Sequence, residues 1–132
     1  IIVEVMILGM SKKLLERWTA VELFQTAAGL AIFRWIAMAV FTSPGLIVLT
    51  QASHGLSFGL FWVAAIYLVK EHTPTEAKAT GQSLLAASVG GVGASVGVYM
   101  ASVIVEHFDT VTMYWASAGV ALIAYLMTRK IQ

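Results

Sequence analysis

Cysteine is absent from the 132 residues, and charged residues are scarce. Without cysteine there is no disulfide framework, no thiolate metal site and no cysteine nucleophile. Asp, Glu, Lys and Arg together make up 11% of the chain, against roughly 25% in water-soluble domains. The formal net charge of +1 lacks the basic excess that is typical of nucleic-acid-binding proteins. We therefore expect neither a soluble domain nor a nucleic-acid partner.

Motifs that bind phosphate, metal or an acyl group are also missing. No Walker lysine follows a glycine-rich loop, no GxSxG or HExxH pattern occurs, and the glycines lie in apolar segments. We expect no enzymatic activity, no cofactor and no metal, and nothing in the chain supports transport driven directly by ATP.

Apolar residues dominate what is present. They make up 59% of the chain, and the mean hydropathy is +0.85. Because a membrane-spanning helix needs about 20 mostly apolar residues, the sequence predicts an all-α polytopic transmembrane helix bundle in a lipid bilayer. The predicted spans are residues 20–41, 45–69, 77–105 and 111–127, and residues 1–10 are predicted to end a further span. Since the chain opens inside an apolar run without Met, we interpret it as part of a longer protein.

Basic residues favour one side of the predicted spans. Seven of the eight Lys and Arg residues lie in segments that alternating spans place on the same side: Lys12, Lys13, Arg17, Lys70, Lys78, Arg129 and Lys130. The positive-inside bias assigns that side to the cytoplasm. We therefore expect a multi-pass protein of the cell (inner or plasma) membrane with a cytoplasmic C-terminus, and with Glu106 and Asp109 outside.

Three residues with a carboxylate, guanidinium or imidazole side chain lie within the predicted spans and away from their polar ends: Glu4, Arg34 and His54. Such residues cost at least ~2.5–3.5 kcal/mol in a span, so they usually face a protein interior or a water-filled cavity. Arg34 precedes the turn at residues 42–44 by about 8 residues and His54 follows it by about 10, which places both ~12–15 Å from the outer end. Because antiparallel neighbours meet at that depth, we expect Arg34 and His54 to face a common interior, with Glu4 within reach.

Each of these residues also has a purely structural interpretation. Arg34 can extend its charged end to the outer interface, His54 can serve only as a hydrogen-bonding group between helices, and Glu4 can lie nearer the cytoplasmic interface. A network of acid, guanidinium and imidazole instead suits proton coupling. Movement of a carboxylate between a low dielectric and a nearby guanidinium changes its pKa, which loads or releases a proton.

Four residues recur at spacings of three or four around His54: Gln51, Phe58, Phe61 and Trp62. They form one helical stripe that mixes polar and aromatic groups. An apolar wall with a few polar groups is the usual construction of a ligand pocket, although aromatic stripes also serve as plain packing. Gln82 on the next predicted helix is a further candidate for the pocket.

The predicted span at residues 77–105 carries two local signals. Thr73-Pro74-Thr75-Glu76 has the pattern of a helix start, with Thr73 as N-cap and Glu76 closing a capping box. Gly93 and Gly97 form a GxxxG pair, which favours the close approach of another helix over a hinge.

The run from Gln51 to Trp62 (QASHGLSFGLFW), with Ala79-Thr80-Gly81-Gln82 after a proline-containing loop, closely resembles helices ten and eleven of major facilitator transporters. The nearest resemblance is to the phenylpropionate permease and lactose permease-like branch. It implies that the chain runs from the end of helix eight to helix twelve, as part of the C-terminal six-helix half of a major facilitator fold. Leu15-Glu16-Arg17 is similar to the loop after helix eight, with Thr19 in place of the usual glycine.

Lactose permease-like symporters place an acid in helix eight, an arginine in helix nine and a histidine in helix ten, which correspond here to Glu4, Arg34 and His54. Ser57 stands where the sugar symporters carry a second acid. The resemblance implies proton-coupled symport of a small organic solute by alternating access, with the missing N-terminal helices of the same protein as partner. The residues expected to bind substrate or protons are Glu4, Arg34, Gln51, His54, Phe58, Trp62 and Gln82.

Two alternatives remain open at this point. An exporter or a uniporter would keep the fold and lose the proton-linked acid. A non-transporting four-helix membrane protein with a structural role would leave Arg34 extended to the interface. Because alternating access requires a partner half, we do not expect the 132 residues to transport a solute by themselves.

Overall fold

A computed structural model describes residues 2–130, and these residues form helices with no strand among them. The α-helices are α1 (Ile2–Gly9), α2 (Ser11–Leu15), α3 (Ala20–Val40), α4 (Pro44–His72), α5 (Lys78–Ala86), α6 (Ala94–His107) and α7 (Thr110–Thr128). A 3₁₀ turn, Thr75–Ala77, precedes α5, and a π-helical segment, Ala87–Gly93, joins α5 to α6.

Four stretches of the described residues are long and apolar enough to cross a membrane: Ala20–Val40, Pro44–His72, Thr75–His107 and Thr110–Thr128. The all-α transmembrane bundle expected from the sequence is therefore confirmed. Two helices run two to three residues past the predicted spans, since α4 ends at His72 and α6 at His107. Hydropathy marks where an apolar run ends, whereas a helix satisfies its own backbone hydrogen bonds and continues into the polar interface. The first residue of the predicted segment 1–10 lies outside the described residues.

Side chains cap two of the helices. At the start of α3, the Glu22 backbone N–H donates to Thr19 Oγ1 at 3.2 Å and the Thr19 N–H donates to Glu22 Oε2 at 2.7 Å, which completes a capping box. At the start of α7, the Thr112 N–H donates to Asp109 Oδ1 at 2.6 Å. This backbone hydrogen bond holds the pKa of Asp109 below its ordinary value.

The capping box predicted at Thr73 is wrong. Thr73 follows α4 in an extended conformation, and neither the 3₁₀ turn nor α5 has a side-chain cap hydrogen bond. Pro74 opens a turn that ends at Ala77, so Glu76 lies inside the turn and not at the third position of a regular helix. The same S/T-x-x-E signature at Thr19 and Glu22 does form the box, because a regular helix starts directly after Thr19.

The core lies between α3 and α4. Its buried residues are Leu23 and Ala27 on α3 and Leu60, Val63 and Ala64 on α4. Ala64 is fully covered, with 0% of its surface exposed. Small side chains at Ala27 and Ala64 let the two helix backbones approach closely, as is usual for helix pairs in membranes.

Helix α1 packs on α4 through two glycines. A Cβ atom placed on Gly59 would lie 2.9 Å from Cβ of Ile7, and one placed on Gly55 would lie 3.1 Å from Cβ of Val3. The distance at Gly59 is too short for a real Cβ atom, and the distance at Gly55 is tighter than most Cβ contacts, so a larger residue at either position would require Ile7 or Val3 to shift. Gly55 and Gly59 thus form the GxxxG motif that a neighbouring helix occupies.

The stretch Thr75–His107 is less buried than the helices α3 and α4. None of its described elements contains a buried residue, and a Cβ atom placed on Gly97 would meet nothing within 4 Å. The close helix approach predicted at Gly93 and Gly97 is therefore absent among residues 2–130. Gly93 instead lies in the π-helical segment, where its added Cβ would come within 3.0 Å of the Ser88 carbonyl oxygen.

Candidate functional site

A cavity of about 240 Å³ lies between α3, α4 and α7. The residues of its wall are Phe24, Ala27, Ala28, Ala31 and Arg34 from α3, His54, Ser57, Phe58 and Phe61 from α4, and Ala121 and Ala124 from α7. Arg34 and His54 thus line one cavity, although they are separated along the chain by the turn between the two helices. The rest of the wall is small or aromatic, with the Ser57 hydroxyl as the other polar side chain.

The side chain of Arg34 is half-buried and lies on an aromatic surface. Its guanidinium carbon is 3.9 Å from the ring centroid of Trp35, and the Trp35 ring stacks on Tyr114 of α7 at 5.9 Å between centroids. A cation over an indole face is attracted by the ring quadrupole, which offsets part of the cost of placing the charge in a span. Arg34 Nη1 donates to the Met38 sulfur at 3.9 Å, and within residues 2–130 the buried Nε atom of Arg34 has no hydrogen-bond partner.

His54 faces the cavity from α4 and its side chain is exposed. Its ring lies 5.5 Å from the ring of Phe58, and Ser57 Oγ donates to the His54 backbone carbonyl at 3.0 Å. The electrostatic interactions of His54 include one with Arg34 and one with Glu4. Glu4 is on α1, where its Cγ is 3.9 Å from a Cβ placed on Gly55. The close packing of α1 on α4 therefore brings the carboxylate towards the imidazole.

Aromatic rings form another part of the wall, next to His54. Phe24 and Phe61 join α3 to α4 at 5.4 Å between ring centroids, and Phe61 stacks on Phe58 at 6.5 Å. Trp62 contacts the rings of Phe58 and Phe61 edge-on at 6.1 and 5.7 Å. Trp62 is outside the lining of the cavity and packs against two of the rings that form it.

Of the seven site residues predicted from the sequence, Arg34, His54 and Phe58 line the cavity. Glu4, Gln51, Trp62 and Gln82 lie outside its lining. Gln51 Nε2 donates to the Met38 sulfur at 3.3 Å, next to Arg34. Gln82 is farther along the bundle, where its Nε2 donates to the Ile66 backbone carbonyl of α4 at 3.1 Å.

Several lining residues were not singled out from the sequence. Ala27, Ala31 and Arg34 are spaced by four and three residues, a helical face of small side chains that ends in a charge and that signals a cavity wall. Phe24 continues the same face. The alanines of α7 carry no comparable signal, because α7 is rich in small residues on every face.

Residues 2–130 contain no group of three or more His, Cys, Asp or Glu side chains that could hold a metal ion. The polar groups of the cavity are a guanidinium, an imidazole and a hydroxyl, with a carboxylate in electrostatic reach. Such a set can bind a polar or anionic solute and can exchange a proton at the imidazole.

Comparison with known proteins supports the assignment of this chain to a family of membrane proteins. The chain is 26% identical over 134 aligned positions to the Uncharacterized transporter YwbF of Bacillus subtilis (strain 168). The match covers 96% of this chain but 33% of the relative, so the chain spans about a third of the length of the curated relative that it matches. No solved structure matches. The sequence profile of the MFS_1 like family matches residues 1–116, and the chain therefore belongs to the MFS_1 like family.

Proposed function

We propose that the full-length protein is a secondary active transporter that moves a small organic solute together with protons by alternating access. The observation that carries this proposal is the cavity between α3, α4 and α7, which Arg34 and His54 line together. An arginine and a histidine in spans are costly in hydrocarbon, and the shared cavity places both side chains where a polar solute or water would contact them. The family membership and the transporter relative support the same function.

Within that protein the chain would form the end of helix eight through helix twelve, in the C-terminal half of a major facilitator fold. The phenylpropionate permease and lactose permease-like branch remains the nearest resemblance. The N-terminal helices of the same protein would be the partner that completes the central cavity, and the length of the relative leaves room for them. The basic segments and the C-terminus would face the cytoplasm.

The proposed roles follow from the contacts. The Arg34 guanidinium would bind a carboxylate or another polar group of the solute, which we expect to be an aromatic or other organic acid. Phe24, Phe58 and Phe61 would contact its apolar body. His54 would hydrogen-bond the solute or relay the proton, because only an imidazole titrates near physiological pH. Glu4 would modulate that titration through its charge.

The experiment that tests this proposal separates solute exchange from proton-driven accumulation in proteoliposomes that contain the full-length protein, with 3-phenylpropionate as the first solute. His54→Gln keeps a hydrogen-bonding group but removes the titration. We expect it to retain most of the exchange and to lose uphill accumulation by at least about ten-fold. Both modes should be measured from about pH 5.5 to 8, which brackets the roughly 6.5 reference pKa of histidine.

Gln82→Ala is the matched control, because Gln82 is a predicted site residue that lies outside the lining of the cavity. His54→Ala should impair proton-coupled uptake far more than Gln82→Ala. Equal loss of exchange and accumulation in His54→Gln would restrict His54 to solute binding or packing. Solute movement that is independent of the proton gradient would indicate an exporter or a uniporter, and no movement of any organic acid would favour a structural protein.

A further inference from the structure

Met38 lies one turn after Arg34 on α3, and two donors from different helices point at its sulfur. Arg34 Nη1 approaches the sulfur at 3.9 Å and Gln51 Nε2 approaches it at 3.3 Å. The side chain of Met38 is half-buried. A guanidinium of α3 and a primary amide of α4 therefore converge on a single thioether.

A thioether is a weak hydrogen-bond acceptor, so neither donor is well satisfied by it. The same guanidinium has a second unsatisfied donor, since within residues 2–130 the buried Nε atom of Arg34 has no partner. An oxygen of an anion at the position of the sulfur would accept charge-assisted hydrogen bonds, which are roughly twice as strong as neutral ones. The site is consequently better suited to a carboxylate than to the atom that occupies it.

Methionine is also the apolar side chain that leaves such a position most easily. It is unbranched, has three rotatable bonds and adapts to irregular gaps. Movement of Met38 would release the Nη1 donor of Arg34 and the Nε2 donor of Gln51 together. It would also draw Gln51, which lies outside the lining of the cavity, into contact with the bound group.

We propose that Met38 is a specificity-determining residue whose sulfur occupies the anion position between Arg34 and Gln51, and that an anionic group of the solute displaces it. This inference rests on the proposed function, in which Arg34 meets the solute. It goes further by assigning Gln51 as the second hydrogen-bond donor to that anionic group. It also implies that the affinity for the anion falls as the side chain at position 38 becomes a stronger hydrogen-bond acceptor.

The experiment uses the full-length protein and three variants of nearly constant side-chain length: Met38→Leu, Met38→Gln and Met38→Glu. Arg34 is modified with phenylglyoxal, the modification is quantified by mass spectrometry, and the benzoate concentration that gives half protection is measured. Benzamide serves as the uncharged isostere of the probe. Met113→Leu is the matched control, because the Met113 sulfur also accepts a hydrogen bond, from Ser117 Oγ at 3.7 Å, whereas the Arg34 guanidinium donates to the sulfur of Met38.

A stronger acceptor at position 38 should compete better with benzoate. Met38→Leu removes the acceptor and should lower the half-protecting concentration by about two- to three-fold. Met38→Gln should raise it, and Met38→Glu, which tethers a carboxylate beside the guanidinium, should raise it by at least about ten-fold. Met113→Leu should leave it unchanged, and benzamide should not protect Arg34 in any variant.

A merely structural role for Met38 predicts a different pattern, in which Leu, Gln and Glu all weaken protection together with thermal stability. That pattern would overturn the proposal, as would weaker protection in Met38→Leu than in the wild type. The Leu and Gln variants are predicted to change the half-protecting benzoate concentration in opposite directions. The test therefore remains decisive if Met38→Glu fails to fold. The proposed function and this inference can fail independently. If the proposed function is wrong, the protein accumulates no solute, but the half-protecting benzoate concentrations still rise from Leu through Met to Gln at position 38. If only this inference is wrong, proton-driven accumulation is observed, but the half-protecting concentrations do not depend on the residue at position 38.

Discussion

Arg34 illustrates at the scale of one residue how a charge is accommodated in a span. Its guanidinium contacts the Trp35 face at 3.9 Å, and Trp35 in turn stacks on Tyr114 of another helix. The attraction of a cation to an indole face contributes about 0.5–2 kcal/mol, less than the ~2.5–3.5 kcal/mol cost of insertion. The aromatic contact alone therefore does not offset the cost of insertion, which favours a role in which a polar solute or water in the adjoining cavity contacts the charge.

Asp109 gives a pH prediction outside the spans. Its pKa is lowered first by the backbone hydrogen bond from Thr112, so the folded state binds this proton less readily than the unfolded state does. The stabilisation is therefore present above the ordinary aspartate pKa of roughly 3.9 and is lost as pH falls through the lower folded value. We expect the melting temperature of the wild type to be higher than that of Asp109→Ala at neutral pH. This difference in melting temperature should shrink in the acid range.

Asp109→Asn is the control, since asparagine caps a helix as well as aspartate but does not titrate. The melting temperature of Asp109→Asn should equal that of the wild type at neutral pH. On acidification it should fall less than the melting temperature of the wild type does. Thermal denaturation of the three purified full-length proteins in detergent, from neutral pH to about pH 3, measures this. A wild-type advantage over alanine that is constant at all pH values would contradict the role of the carboxylate charge.

At the scale of elements, α4 is central because α1, α3 and α5 pack on it and α7 shares a cavity with it. Its glycines face α1, its core residues Leu60, Val63 and Ala64 face α3, and His54 and Phe58 face the cavity that α7 also lines. A helix that packs on neighbours in several directions and leaves apolar residues such as Val48 and Leu49 exposed has no single apolar face. This explains why its sequence reads as apolar throughout, without a stripe that would indicate its neighbours.

The two GxxxG pairs provide a prediction about helix packing. Gly59→Ala would place a Cβ 2.9 Å from Cβ of Ile7, whereas the Cβ of Gly97→Ala would meet nothing within 4 Å among residues 2–130. We expect Gly59→Ala to lower the free energy of unfolding by about 1–3 kcal/mol through overpacking. Gly97→Ala should leave it unchanged or raise it by up to roughly 1 kcal/mol, because alanine favours helix over glycine.

Denaturant titration of the two variants in the full-length protein measures both effects. Ile7→Ala added to Gly59→Ala should recover only part of the loss, because it removes the Ile7 Cγ2 atom at 3.0 Å and leaves Cβ at 2.9 Å. Greater destabilisation by Gly97→Ala than by Gly59→Ala would show that the second pair is the one that packs in the intact protein.

At the scale of the whole molecule, the antiparallel spans divide the loops into two sets. The turn between α3 and α4 and the turn between α6 and α7 lie at one end of the bundle, and the basic segments lie at the other. Thr75–His107 contributes no buried residue among those described. The bundle of residues 2–130 is thus asymmetric, with its core on the side of α3 and α4.

The proposed orientation is testable with single cysteines in a cysteine-free full-length protein, since this chain has none of its own. Ser43→Cys, in the turn between α3 and α4, should react with a membrane-impermeant maleimide added to intact cells. Lys70→Cys, near the other end of α4, should react only after permeabilisation. Both residues are exposed, which makes them a matched pair. The reverse pattern would invert the topology, and labelling of both from outside would contradict the spanning assignment of α4.

Sequence alone determined that this protein lies in a lipid bilayer and that its spans are helices. Long apolar runs and few charges require a bilayer, and a bilayer permits helices because they satisfy their own backbone hydrogen bonds. The shared depth of Arg34 and His54 also followed from counting residues on either side of one turn. These properties depend on position along the chain, which a sequence states directly.

Tertiary structure decided which candidates meet. The rotation of each helix about its axis brings Ala27, Ala31 and Arg34 to the wall of the cavity, and it places Gln82 against the Ile66 carbonyl, outside that wall. It also selects Gly55 and Gly59 over Gly93 and Gly97 as the close contact. The physical reason is that lipid is as apolar as the helices themselves, so hydropathy does not distinguish a lipid-facing side from a buried one, and only packing between helices sets their rotation.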